Sequence, residues 1–180
     1  MRYSSVPPSF GTLFWMTTRM SDRIRHVAVV MQRRTLNDRW QSVIWQAQAV
    51  LPRAGPTNPS DSVTQLWMHD ADCTQWLHLG LTLMLHRDEA EGYYLNVSTD
   101  TPSAFVMWRL QADRAIPQEV TLSYNEAARW MDAGEQVDAV RLDDSLFTWV
   151  GAYVETNYRP EAKKRQRPQS FRRAQDRGGH

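Results

Sequence analysis

Between Trp76 and Leu85 the chain reads W-L-H-L-G-L-T-L-M-L, and this alternation constrains the fold more than any other stretch. Leu77, Leu79, Leu81, Leu83 and Leu85 recur at period two, with Trp76, His78, Gly80, Thr82 and Met84 between them. Successive side chains of a pleated strand point to opposite faces, so the pattern predicts a strand with all its leucines on one side. Burying each leucine is worth roughly 1.5–3 kcal/mol, and the rest of the chain must supply the cover.

The same stretch continues to Leu110 with two polar breaks. Tyr94–Val97 reads as a middle strand entered through the charged turn Arg87–Gly92, and Phe105–Leu110 as a third strand entered through Thr101-Pro102-Ser103. Three extended runs with short breaks predict an antiparallel meander. Upstream, Ile24–Arg33 has β-branched residues at its centre and predicts a first strand. Trp40–Leu51 fits both a helical and a period-two spacing, and its tryptophan and β-branched content favours a second strand paired with the first. Pro52–Asp72 is expected to be a surface loop with one short strand near Val63–Met68, anchored by Val63, Leu66 and Trp67.

Downstream, Pro117–Leu122 predicts another strand. Ser123-x-x-Glu126 predicts a capping box that opens a helix through Ala127, Ala128, Trp130 and Met131, closed by Gly134. Val137–Leu142 is a short extended piece. Asp143 or Asp144 then caps a last helix over Ser145–Tyr158, with Leu146, Val150, Tyr153/Val154 and Asn157 on one stripe, Phe147 and Trp149 broadening it, and Pro160 beyond it. Strands followed by helices predict an α+β domain. The expected layout is a curled antiparallel sheet or half-barrel, as in pleckstrin-like domains, packed by the C-terminal helix. The domain is placed at residues 22–158, after a mobile leader (1–21, with Met16 and Met20 as alternative starts) and before a disordered basic tail (159–180).

Charge is unevenly distributed. Residues 159–180 hold eight Lys/Arg against two acidic residues, leaving thirteen positive against eighteen negative in the remainder. The tail residues Lys163, Lys164, Arg165, Arg167, Arg172 and Arg173 are therefore candidate partner-binding residues. Nucleic acid, an anionic membrane surface and an acidic protein face are all open to such a tail. The acidic body would repel phosphate, which favours a protein. No apolar run approaches the roughly 18 residues of a membrane-spanning helix. A single cysteine, Cys73, has no thiol partner in the chain, which fits a reducing cytoplasm.

His86, Asp88, Glu89 and Glu91 form the densest group of potential ligands or acid–base residues. An imidazole with nearby carboxylates can hold a divalent ion or move a proton. The plainer reading is a charged turn in which Arg87 offsets part of the acidity. His78 cannot join the group along one strand, because eight residues span about 26 Å. The sequence holds no P-loop, G-x-G-x-x-G, G-x-S-x-G, H-E-x-x-H or C-x-x-C. Most of the eight tryptophans are expected in the core, with one or two at a partner surface.

Four stretches together carry a family resemblance: L-H-R-D-E-A-E-G-Y-Y-L-N-V, P-S-A-F-V-M-W-R-L, V-T-L-S-Y-N-E-A-A-R-W-M-D-A-G-E-Q-V and W-V-G-A-Y-V-E-T-N-Y. In these the chain resembles a family of small bacterial proteins that form a domain of unknown function. Members of that family are often encoded beside molybdenum-dependent formate dehydrogenase genes. The resemblance implies no catalytic residue. It implies no established activity either. Taken with the absence of catalytic motifs, the aromatic-rich sheet, the basic tail and the lone cysteine, the gene association leads to the expectation of a cytoplasmic, non-catalytic accessory or assembly protein, without a cofactor, that binds a formate dehydrogenase subunit or maturation factor. A small metal-handling protein or enzyme built on His86, Asp88, Glu89 and Glu91 is the alternative, and nucleic-acid binding by the tail a weaker one.

Overall fold

The computed structural model describes residues 22–36, 42–54 and 64–159. The leader, residues 37–41 and 55–63, and the tail from residue 160 lie outside the described residues, and with them Val63 and all six candidate tail residues.

Strands β1 (Ile24–Thr35), β2 (Val43–Arg53), β3 (Thr64–His69) and β4 (Cys73–Met84) form one antiparallel sheet in the order β2-β1-β4-β3. Helix α1 (Ala90–Val97) then leads to a second antiparallel sheet. It comprises β5 (Ser103–Gln111), β6 (Arg114–Thr121) and β7 (Gln136–Arg141), in the order β6-β5-β7. Helix α2 (Tyr124–Asp132) lies between β6 and β7, and α3 (Asp144–Asn157) follows β7. The class is α+β, with two separate sheets that do not close into a barrel.

The centre of β1, V-A-V-V-M, is buried on both faces. Val27, Val29 and Met31 enter the main core with Ala47, Val50, Val106, Trp108, Val120 and Val140, so the two sheets share it. Ala28 and Val30 point the other way, into a smaller cluster with Leu77. Asp138 of β7 ties the sheets together, accepting from the Ala47 amide of β2 at 2.7 Å and the Trp108 indole of β5 at 2.8 Å.

The leucine ribbon is not continuous. Leu77 and Leu79 belong to the smaller cluster, whereas Leu81, Leu83 and Leu85 belong to the main core. Val27 faces Leu81 but Val29 faces His78, so β4 carries one extra residue between them. Gly80, at φ +91°, sits at that bulge. One inserted residue exchanges the faces of everything beyond it.

The expected middle strand is a helix, and the meander is therefore absent: β4 and β5 sit in different sheets. Y-Y-L-N-V has strand composition and poor intrinsic helix propensity. Tertiary contacts decide its state. Asn96, 1 % exposed, donates to the Ser103 and Leu122 carbonyls at 2.7 and 2.8 Å and accepts from the Ser103 amide at 3.0 Å. The buried Tyr93 hydroxyl accepts from the His86 amide at 3.1 Å. Arg87–Glu89 is thus part of a strand-to-helix junction and not a hairpin turn.

Local signals elsewhere match the structure. The Ser123 hydroxyl accepts from the Glu126 amide at 3.1 Å and opens α2, and Gly134 follows that helix at φ +84°. The reciprocal half of the capping box is replaced, because the Ser123 amide donates to Thr121 Oγ1 and Glu126 accepts from the same hydroxyl. Asp143 caps α3, whose Leu146, Val150 and Val154 complete the main core.

Candidate functional site

Two adjoining features stand out: an exposed edge strand and a groove beside it. Every residue of β3 is exposed, including Leu66 at 63 %, Trp67 at 57 % and Met68 at 43 %. Leu66 and Trp67, expected as anchors, are at the surface. Edge strands ordinarily discourage pairing with another chain by carrying charge or proline. The β2 edge has Pro52 and Arg53, β6 has Arg114, Pro117 and Glu119, and β7 has Asp138 and Arg141. The sequence of β3, T-Q-L-W-M-H, has no proline and no permanently charged residue.

The groove, about 630 Å³, runs from β3 across the sheet face to the β5–β6 turn. Trp45 of β2 and Trp76 of β4 form its aromatic wall, with ring centroids 5.3 Å apart. Arg114, the first residue of β6, lies over Trp76 at 5.9 Å, and Arg33 of β1 also lines the groove. The turn that presents Arg114 uses Ala112 and Asp113 at φ +47° and +63°. Two positive φ values in a two-residue loop match the right-handed twist of the flanking strands. Thr64, Leu66 and His69 form the β3 side, and His69 Nδ1 lies 3.0 Å from Thr74 Oγ1.

Beside the groove, Thr64 Oγ1 meets His78 Nδ1 at 3.1 Å. His78 is 5 % exposed, and its Nε2 has no hydrogen-bond partner. Burial, with repulsion from Arg114 as a smaller cause, pushes its pKa down to about 4. The imidazole therefore stays neutral at ordinary pH.

The acidic cluster near His86 is arranged differently. His86, Asp88 and Glu91 are exposed, while Glu89 accepts from the Ser123 hydroxyl and from the Arg129 guanidinium across the α1–α2 contact, both at 2.5 Å. His86 lines a separate groove of about 350 Å³ with Glu119, Glu126 and Trp130. Among the described residues no group of three or more His, Cys, Asp or Glu is placed to hold a metal ion. Cys73 is a free thiol, half-buried at the start of β4.

In the sequence Trp45 and Trp76 stand out only as two of eight tryptophans, and Arg33 and Arg114 do not stand out at all. These four lie on four different strands, so no local spacing links them. The indoles could be flagged by type alone; the arginines carry no signal before the sheets are assembled.

No curated protein and no solved structure matches the chain. A family model described as "Protein of unknown function (DUF3305)" matches residues 26–167, and with this span covering most of its length the chain belongs to that family.

Proposed function

We propose that this protein is a non-catalytic accessory or assembly protein of a molybdenum-dependent formate dehydrogenase system, acting in the cytoplasm by binding a partner protein. The observation that carries partner binding is β3: an uncharged edge strand whose Leu66, Trp67 and Met68 are exposed together. Strand edges take up extended segments of other chains through backbone hydrogen bonds, and neighbouring side-chain pockets add selectivity. Tryptophan and arginine, which dominate binding hot spots, are concentrated in the adjoining groove. The formate dehydrogenase association comes from the family resemblance. Among the described residues no helix is long and apolar enough to cross a membrane, so the proposal needs no membrane-spanning element. The basic residues Lys163, Lys164, Arg165, Arg167, Arg172 and Arg173 add a second, electrostatic contact with the partner.

The test is affinity purification of the tagged full chain from a host expressing the formate dehydrogenase, with the retained proteins identified by mass spectrometry. A formate dehydrogenase subunit or maturation factor should be retained by the intact chain. It should be lost on Leu66→Asp/Trp67→Asp and weakened on removal of residues 159–180. If the intact chain retains neither kind of protein, the proposal fails.

A further inference from the structure

We infer that the groove between β3 and the β5–β6 turn takes an extended acidic segment of the partner, with an apolar or aromatic side chain of that segment set against Trp45 and Trp76. This rests on the partner-binding reading above and names the chemistry of what is bound.

Charge supplies the first argument. Arg33 and Arg114 both line the groove, and neither forms an ion pair among the described residues, whose only two ion pairs are Arg109–Glu135 and Arg129–Glu89. Asp113 is the only carboxylate in the lining. A locally basic trough in a body that is acidic as a whole selects an anionic occupant and steers its approach.

Shape supplies the second. Sites for small ligands are concave and bury most of the ligand surface. This groove is open to solvent and lined by a strand on one side and a turn on the other, which suits a segment of chain better than an enclosed small molecule. Its aromatic wall offers the rigid, partly desolvated surface on which a hot-spot side chain gains most.

The turn supplies the third. Ala112 holds a left-handed conformation that a residue with a Cβ adopts at a cost, and this turn sets Arg114 over Trp76. Strained backbone concentrates where side-chain placement serves binding.

The experiment uses the full chain and a fluorescein-labelled heptapeptide, Glu-Asp-Phe-Glu-Asp-Leu-Glu, alongside its Gln/Asn counterpart, read by fluorescence anisotropy. The acidic peptide should bind about tenfold more tightly than the amide form and lose about tenfold on Arg33→Gln/Arg114→Gln. Asp113→Asn, which removes the one opposing charge, should tighten binding about two- to threefold. The indole N–H resonances of Trp45 and Trp76 should shift on titration, and those of the core Trp108 should not. Equal binding of both peptides, no binding of either, or indifference to the arginine and Asp113 variants would overturn the inference. So would equal competition by a single-stranded oligonucleotide, which would assign the groove to phosphate. If a formate dehydrogenase protein is retained while the acidic peptide fails, this inference falls and the proposed function stands. If the peptide binds and no such protein is retained, the reverse holds.

Discussion

The α1–α2 junction and the β3 groove are both rich in polar residues, but they spend them differently. At the junction the groups satisfy one another. Glu89 takes Ser123 and Arg129, Asn96 takes the backbones of Ser103 and Leu122, and Glu126 takes Thr121. Among the described residues Arg33 and Arg114 of the groove form no ion pair, and beside the groove His78 Nε2 is buried without a hydrogen bond. The junction is the denser cluster along the sequence, and it works as a lock between two helices. The groove is assembled from distant residues, and among the described residues its two guanidinium groups are not used in ion pairs.

The comparison breaks most visibly at Gly92. A Cβ there would lie 2.1 Å from Ser123 Oγ and 3.2 Å from the Asn125 amide, so one helix would have to move. Gly92→Ala should cost about 3 kcal/mol in chemical denaturation, and an unchanged midpoint would mean that the two helices are not in this contact. Asn96→Ala comes next. It strands one buried amide and two carbonyls and should cost about 2 kcal/mol by the same measurement.

His78 sharpens the groove side. Its folded-state pKa of about 4 lies below the ordinary 6.5, so the unfolded chain binds the extra proton first as pH falls. The stability contributed by its neutral form is complete above pH 6.5 and is lost as pH drops toward 4. The loss should be roughly 1–2 kcal/mol after allowing for solvent screening. Denaturation midpoints of His78→Gln across this range should be flatter than those of the parent. A parallel pair of profiles would remove the imidazole as the cause.

The smallest effects belong to the surface. Trp67→Gln and Arg33→Gln should each change stability by no more than about 0.5 kcal/mol, since neither residue is in the core. A large loss at either position would make the groove part of the lock, and the contrast between the two regions would disappear.

Much of the fold was legible in short signals. Ser123 and Asp143 cap helices because a side-chain oxygen meets an amide two or three residues on, and Gly134 follows α2 because its backbone adopts positive φ freely. The alternating or β-branched runs of β1, β2, β4 and β5 announced strands. What misled was tertiary override: α1 has strand-like residues that become helical because Tyr93 and Asn96 find their partners only in that form. Gly80 gave no warning that its bulge would divide the leucines between two clusters. The site was harder to read, since Arg33, Trp45, Trp76 and Arg114 are separated by up to eighty-one positions and meet only across two sheets.

By itself, then, the sequence determined that the β1, β2, β4 and β5 segments extend, where two helices begin and that the domain is α+β, because those outcomes follow from side-chain period and from hydrogen bonds a few residues long. Only the tertiary structure decided that β4 and β5 part into different sheets, that β3 lies at a sheet edge with every residue exposed, and that two tryptophans and two arginines share a groove. Those outcomes depend on one bulge, one buried asparagine and the approach of Gly92 to Ser123, contacts whose energies exist only once distant parts of the chain are packed together.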